Sequence, residues 1–108
     1  MLALSALGSM LSSAAEFTGY ISDAKCATSG ASKKTAAEWI KPAAFEQCVK
    51  QCVKDGSEVV FVTEDNKIVK IDAASMDKVM PVLGHKVTVN GKVEGNTLKI
   101  DSISSLKM

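Results

Sequence analysis

Three cysteines are the residues of this chain whose types and spacing carry the clearest chemistry. Cys26 follows the first predicted strand, and Cys48 and Cys52 lie four residues apart, one turn of a predicted helix. Thiols can form a disulfide, bind a soft metal ion or exchange electrons with other thiols. The sequence leaves all three alternatives open, and each assigns a different role to the third sulfur.

A structural disulfide with one remaining thiol is the interpretation that we favour from the sequence. Helical geometry holds Cys48 and Cys52 apart, whereas a disulfide needs Cβ atoms about 3.8 Å apart. Cys26 is therefore the expected partner of one of them. Antiparallel pairing of the first two strands would bring Cys26 closer to Cys52, so we predict a Cys26–Cys52 bond, with Cys48 as the alternative partner. In the chain-entropy model this bond would contribute about 3–4 kcal/mol.

A zinc or copper site is the main alternative to the disulfide. The three thiols would bind Zn(II) or Cu(I), with Asp23 or His85 as a possible fourth ligand. No Cys-x-x-Cys motif supports this site, and an oxidising compartment disfavours reduced thiols. A redox-active thiol is the third alternative, but cysteines in mid-helix lack the helix N-terminus that would lower a thiol pKa.

The first 15 residues carry no charge and form a short apolar stretch that ends in Ser13-Ala14-Ala15. These small residues are typical of a signal-peptidase cleavage site before Glu16. The stretch is too short to span a membrane, which takes about 20 apolar residues. We therefore expect a signal peptide at residues 1–15 and a single domain at residues 16–108, located in the periplasm or secreted.

The composition disfavours two classes of function. The 13 basic residues are all lysines and face 12 acidic residues, so the chain has no guanidinium group for bidentate contacts to phosphate or guanine. We therefore predict no specific nucleic-acid binding. The chain has one histidine, His85, and no serine in a nucleophile-elbow motif, so we predict no catalytic residues. We expect His85 to be a polar residue at the start of a strand.

Apolar alternation predicts five short strands, and helical spacing predicts the segments between them. The predicted strands lie at residues 17–22, 58–63, 67–72, 86–93 and 97–103. Between the first two we predict a loop at residues 24–34, a short helix at 35–41 capped by Thr35, and a helix at 42–54. One or two helical turns are predicted at residues 73–83, and a loose end at 104–108.

This order of elements predicts a mainly β fold, within the β-rich α+β class. Five strands with a short helix between the third and the fourth match the OB-fold barrel, here with a helical insertion at residues 24–56 between strands 1 and 2. Gly19 and Gly91 would permit the bends of a small barrel, and a bulge is expected between Ile100 and Ile103. The alternative fold is an open meander packed on the cysteine-bearing helix.

Three segments of the chain together resemble a group of small exported bacterial proteins, largely uncharacterised and expected to be OB-fold-like. The segments are TGYISD at residues 18–23, followed by Cys26, then CVKQCVKDG at 48–56 and GHKVTVNG at 84–91. The resemblance implies the fold and an exported location, and it carries no established activity. This chain lacks the histidine that often follows the first cysteine in that group.

An OB-fold would place its ligand surface on the open face of the barrel and its loops. Tyr20 on the outer face of the first strand, Trp39 in the insertion and Asn96 in the last turn are the candidate contacts, although Trp39 is expected mainly to pack the insertion onto the barrel. We predict a non-catalytic binding or envelope-associated module with a disulfide, whose partner is an unknown ligand or envelope protein. The alternative is a periplasmic soft-metal-binding or thiol-redox protein that uses the three cysteines.

Overall fold

The computed structural model describes residues 15–106, which contain five strands, three α-helices and three short 3₁₀ turns. The elements in chain order are β1 (Ala15–Asp23), α1 (Ala24–Gly30), a 3₁₀ turn (Ala36–Glu38), α2 (Pro42–Lys54), β2 (Val59–Thr63), β3 (Ile68–Ile71), a 3₁₀ turn (Ala73–Ser75), α3 (Met76–Val79), a 3₁₀ turn (Met80–Val82), β4 (Lys86–Glu94) and β5 (Thr97–Leu106). Apart from Ala15, which begins β1, the predicted signal peptide lies outside the described residues.

The five strands form one mixed sheet that closes in a ring in the order β1-β2-β3-β5-β4. β4 returns to β1, with Phe17 opposite Val89, and completes the ring. The β3–β5 pair is parallel, through Lys70 opposite Thr97, and the other four pairs are antiparallel. The protein is therefore an α+β domain, with the predicted helical insertion between β1 and β2 and the predicted short helix between β3 and β4.

A bulge in the β4–β5 hairpin lies where the sequence predicts one. Asn90 pairs with Ser102 and Gly91 pairs with Ile100, so Asp101 is an extra residue on β5. Gly91 is required there, because a Cβ atom at this position would lie only 2.0 Å from the carbonyl oxygen of Lys99. The expected bend at Gly91 and the bulge before Ile103 are the same feature.

The second half of β1 is buried on both faces, not on one face as the alternation suggested. Neighbouring residues of a strand point to opposite faces, yet Ile21 is fully buried and Tyr20 is only 7% exposed. The Tyr20 ring packs edge-on against Phe45 of α2, with ring centroids 6.1 Å apart. Tyr20 is therefore a core residue, and the prediction that it forms an exposed stacking surface is wrong.

Residues 24–30 form helix α1, where the sequence predicted a loop. The Asp23 carboxylate caps this helix, with Oδ2 accepting from the backbone N–H of Cys26 at 3.1 Å. The predicted helix at residues 35–41 is reduced to the 3₁₀ turn Ala36–Glu38. The Thr35 hydroxyl donates to the Glu38 carboxylate at 3.3 Å and makes no capping bond to the backbone.

Asn66, in the turn between β2 and β3, fixes the insertion to the ring. Its side-chain amide donates to the carbonyl oxygens of Gly30 at 2.7 Å and Lys33 at 2.9 Å. Its side-chain oxygen accepts from Nε1 of Trp39 at 2.7 Å. Trp39 in turn lies so close to Gly30 that a Cβ atom there would be 2.3 Å from the indole ring. Trp39 therefore packs the insertion against the ring, as the sequence predicted.

The last strand is longer than the sequence predicted. β5 continues to Leu106, because residues 104–106 pair with the first residues of β4 and do not form a loose end. Between residues 15 and 106, the structure has no helix that is long and apolar enough to cross a membrane.

Candidate functional site

The three cysteines, which come from two helices, meet at one place and form what we call the thiol triad. Cys26 lies on α1, and Cys48 and Cys52 lie on α2. All three sulfur atoms lie within 4.8 Å of one another. The Sγ of Cys26 is 2.9 Å from that of Cys48 and 4.0 Å from that of Cys52. All three are free thiols in this structure, since a disulfide has an S–S length of about 2.05 Å.

The sulfur nearest to Cys26 belongs to Cys48, which the sequence gave only as the alternative partner. The preference for Cys52 assumed that Cys26 continues the line of β1 in a loop. Instead α1 begins directly after Asp23 and carries Cys26 around its first turn, next to an earlier turn of α2. Because α1 was not predicted, the sequence ranked Cys52, and not Cys48, as the cysteine closer to Cys26.

Each element that holds the triad has a local cause in the sequence. Asp23 fixes the start of α1, and its Oδ2 also accepts from the hydroxyl of Ser57 at 3.0 Å. Pro42 occupies the first turn of α2, where a missing N–H costs nothing. Because Cys48 and Cys52 are four residues apart on α2, their side chains lie on the same face of the helix, in adjacent turns.

The environment of the triad keeps two of its thiols neutral. Partial burial raises the pKa of Cys26, and hydrogen bonds to Cys48 and Asp23 and the negative charge of Asp23 raise it further. Desolvation also raises the pKa of Cys52, followed by the charge of Asp23. These two thiols are therefore protonated at neutral pH in the metal-free protein. Cys26 and Cys52 are therefore not low-pKa nucleophiles of the kind that thiol-redox enzymes use.

Asp23 is a buried carboxylate with one unused oxygen. The side chain is fully buried, and Oδ1 has no hydrogen-bond partner among residues 15–106. A buried charged oxygen without a partner is costly unless a cation lies nearby. Its charge raises the pKa of both Cys26 and Cys52, so Asp23 lies near these two thiols, but its oxygens are not part of the cluster that the three sulfurs form.

His85, the other candidate ligand, lies elsewhere. Its Nδ1 is 3.0 Å from the hydroxyl of Ser105, and its Nε2 is 3.4 Å from a carboxylate oxygen of Glu46. His85 is not part of the thiol cluster and does not line the cavity beside it. The alternative in which His85 completes a metal site is therefore wrong, because the residue is engaged next to the start of β4 as a polar side chain.

The triad forms part of the wall of a cavity of about 480 Å³. Trp39 and Phe45 are among the residues that line it, and their rings pack edge-on with centroids 5.6 Å apart. Two lysines, Lys25 and Lys41, also line it, and the lining includes no carboxylate. Cys48 is exposed, and Cys26 and Cys52 are half-buried, so the sulfurs can be reached from this cavity.

The three ligand-surface candidates end in three different environments. Trp39 is half-buried and lines the cavity, whereas Tyr20 lies in the core. Asn96 is exposed in the β4–β5 turn, where its backbone carbonyl oxygen accepts from the backbone N–H of Lys70 at 2.9 Å. Sequence reasoning missed Lys25 and Lys41, because lysines are spread along the whole chain and nothing in their spacing marks these two.

No protein-family model, curated protein or solved structure matches this chain. Its function is therefore argued from the chemistry of the site.

Proposed function

We propose that this protein is a non-catalytic binding module that holds one soft metal ion, Cu(I) or Zn(II), at the thiol triad. The observation that carries the proposal is the convergence of three sulfurs from two helices within 4.8 Å. Two sulfurs that bind one tetrahedral zinc ion at about 2.3 Å lie roughly 3.8 Å apart. The 4.0 Å between Cys26 and Cys52 fits this spacing, and Cys48 would move away from Cys26 by about 1 Å.

The electrostatics of the site support the same proposal. Thiols are bound to metals as thiolates, so a cation would displace the protons that the buried environment retains on Cys26 and Cys52. The unused oxygen of Asp23 would gain a positive neighbour. Thiolate ligands select soft or borderline ions over Mg²⁺ and Ca²⁺, which prefer oxygen.

We further propose an OB-fold-like barrel that is exported to the periplasm or secreted. The ring order β1-β2-β3-β5-β4, the parallel β3–β5 pair and the short helix between β3 and β4 support the fold. The uncharged apolar stretch at residues 1–15 supports export. An envelope protein or a small ligand is the proposed partner.

A structural disulfide is the second candidate, and the 2.9 Å between Cys26 and Cys48 favours it. In an oxidising compartment these two sulfurs would form the bond and leave Cys52 as the single thiol. This form cannot bind a metal through three thiolates. The two candidates therefore differ in the number of free thiols and in metal content.

Alkylation of the purified protein, followed by intact mass and metal analysis, tests the proposal. The protein is prepared from the periplasm under argon, without reductant or chelator, and a denatured portion is alkylated. We expect one metal ion per chain and three alkylated cysteines. The proposal would be overturned by one alkylated cysteine and no metal in the protein as purified, together with no metal bound after the reduced protein is incubated with Zn(II) or Cu(I).

Three single Cys→Ser variants show whether the sulfurs act together. Each substitution removes one ligand, so each should lower the metal affinity by at least 100-fold, more than the loss of an outer-shell partner. Ser29→Ala is the matched control, because Ser29 lines the same cavity and carries no thiol. Loss of affinity in only two of the three Cys→Ser variants would reduce the site to a two-sulfur site.

A further inference from the structure

We infer that Cys48 is a modification site, at which a negatively charged low-molecular-weight disulfide forms a mixed disulfide in the cavity beside the thiol triad. The ligand class is a small thiol that carries carboxylate groups, in its oxidised form. This inference goes beyond metal binding and does not require it, because the reaction uses the metal-free thiols. Modification of Cys48 and metal binding at the triad exclude each other, since modified sulfurs cannot bind a metal as thiolates.

The position of Cys48 makes it the first thiol that an incoming molecule meets. All three cysteines line the cavity, where Cys48 is exposed and Cys26 and Cys52 are half-buried. Access controls which thiol reacts, and Cys48 is the most accessible of the three. A cavity of about 480 Å³ lies in the size range of small-molecule sites.

The charge around the cavity selects an anion. Lys25 and Lys41 line it, and within residues 15–106 neither amine lies within 4 Å of a carboxylate. The surrounding segment, residues 24–56, contains six lysines and three acidic residues, which leaves seven lysines and nine acidic residues elsewhere. The insertion that carries the thiols therefore has a net positive charge, whereas the rest of the chain has a net negative charge. Asp23, the nearest buried negative charge, does not line the cavity.

The reaction proceeds in two balanced steps. In the first, the Cys48 thiolate attacks one sulfur of the disulfide RSSR, which forms Cys48–S–SR and releases RS⁻. In the second, the Cys26 sulfur, 2.9 Å away, loses its proton to solvent and attacks the sulfur of Cys48. A Cys26–Cys48 bond forms and a second RS⁻ leaves. Two protein thiols are oxidised and one RSSR is reduced to two thiols.

The test compares two small disulfides of opposite charge, glutathione disulfide and cystamine, on the reduced, metal-free protein. The initial rate of modification at Cys48 is followed by mass spectrometry and peptide mapping. Each rate is divided by the rate of the same disulfide with a free cysteine peptide, which removes the difference in leaving-group pKa. We expect the anionic reagent to be favoured about tenfold at low salt and the preference to disappear at 1 M salt.

Two pairs of variants make the result specific. Lys25→Gln with Lys41→Gln should abolish the preference, whereas Lys70→Gln with Lys78→Gln, the same charge change on exposed lysines outside the cavity, should retain it. Equal relative rates for both reagents in the wild-type protein would overturn the inference, whether or not the protein binds a metal.

The second step has its own readout. The Cys26→Ser variant should accumulate the mixed disulfide at Cys48, because the sulfur that would attack it in the second step is absent. Cys52→Ser should proceed to the Cys26–Cys48 bond, as the wild-type protein does. First modification at Cys26 or Cys52 would contradict the inferred order. Metal titration of the same reduced samples tests the proposed metal site separately, so the failure of either can be recognised.

Discussion

Metal binding at the thiol triad should strengthen steeply as the pH rises. The pKa values of Cys26 and Cys52 are raised above their ordinary value, mainly by burial, so both thiols carry protons at neutral pH. A metal ion binds the thiolates and must displace these protons. Each displaced proton contributes about a factor of ten in apparent affinity per pH unit, by linkage. Since thiols ordinarily carry their protons between pH 6 and pH 7, binding at three thiolates releases three protons, and the affinity should rise about 1000-fold over this pH unit.

The assay is a competition for Zn(II) with a chelator whose own pH dependence is known, repeated at several pH values. Calorimetry in buffers of different ionisation enthalpy counts the released protons independently. Cys26→Ser should reduce the slope to about 100-fold per pH unit, because one of the three thiol ligands is gone. His85→Gln should leave the slope unchanged, since His85 contacts Glu46 and Ser105 and not the triad.

A slope near zero would refute the reasoning, because it would mean that the thiols are already ionised or that they do not bind the metal. Release of only one or two protons would mean that fewer than three thiols bind the metal. Either result would contradict the proposal that metal binding displaces the protons of all three thiols, including those that burial retains on Cys26 and Cys52.

Three further predictions concern the surroundings of the triad. Asp23→Asn keeps an oxygen to cap α1 but removes the charge, so the metal affinity should fall about 10- to 100-fold in titrations. Mild oxidation of the metal-free protein should give Cys26–Cys48 as the main disulfide in peptide maps, and a different main bond would contradict the 2.9 Å contact. Glycine can adopt the positive φ of 67° that Asn66 has, so Asn66→Gly removes three side-chain hydrogen bonds, including the one to Trp39, without straining the backbone. This variant should lower the free energy of unfolding, measured in urea, by about 2–3 kcal/mol. A loss below about 0.5 kcal/mol would contradict the role of Asn66 as the link between insertion and ring.

The elements with strong local signals were predicted correctly. Pro42 and the Asp55-Gly56 pair mark the ends of α2, and the apolar runs of the two hairpins mark their strands. Short polar turns leave few ways to connect such strands, so the order of elements already indicated a five-stranded sheet. The bulge near Gly91 was predicted because a glycine inside a strand often marks a bulge or a bend.

The parts that were missed depend on contacts between distant segments. Helix α1 has the Ala, Ser and Gly composition of a loop, and it forms because Asp23 caps its first turn. Burial of Tyr20 depends on Phe45, 25 residues further along the chain, and alternation within a strand carries no information about what covers its outer face. Because α1 was not predicted, the sequence could not show whether Cys48 or Cys52 lies closer to Cys26.

The candidate site was predicted in part. The three cysteines were recognised as the chemical centre, and Asp23 was named as a possible ligand. The cavity and its lysines were not recognised, because Lys25 and Lys41 come from separate segments and meet only after α1 and α2 pack together. A sequence pattern identifies residues that can do chemistry, whereas their common environment is a property of the fold.

X-ray absorption spectroscopy of the protein loaded with one equivalent of Zn(II) tests the central claim most directly, because it reads the ligand atoms themselves. The account predicts three sulfur neighbours at about 2.3 Å, with one lighter ligand completing the tetrahedron. The sulfur signal should fall to two neighbours in each single Cys→Ser variant. A first shell of oxygen and nitrogen alone, or the absence of stoichiometric zinc on the fully reduced protein, would contradict the claim that the thiol triad is a metal site.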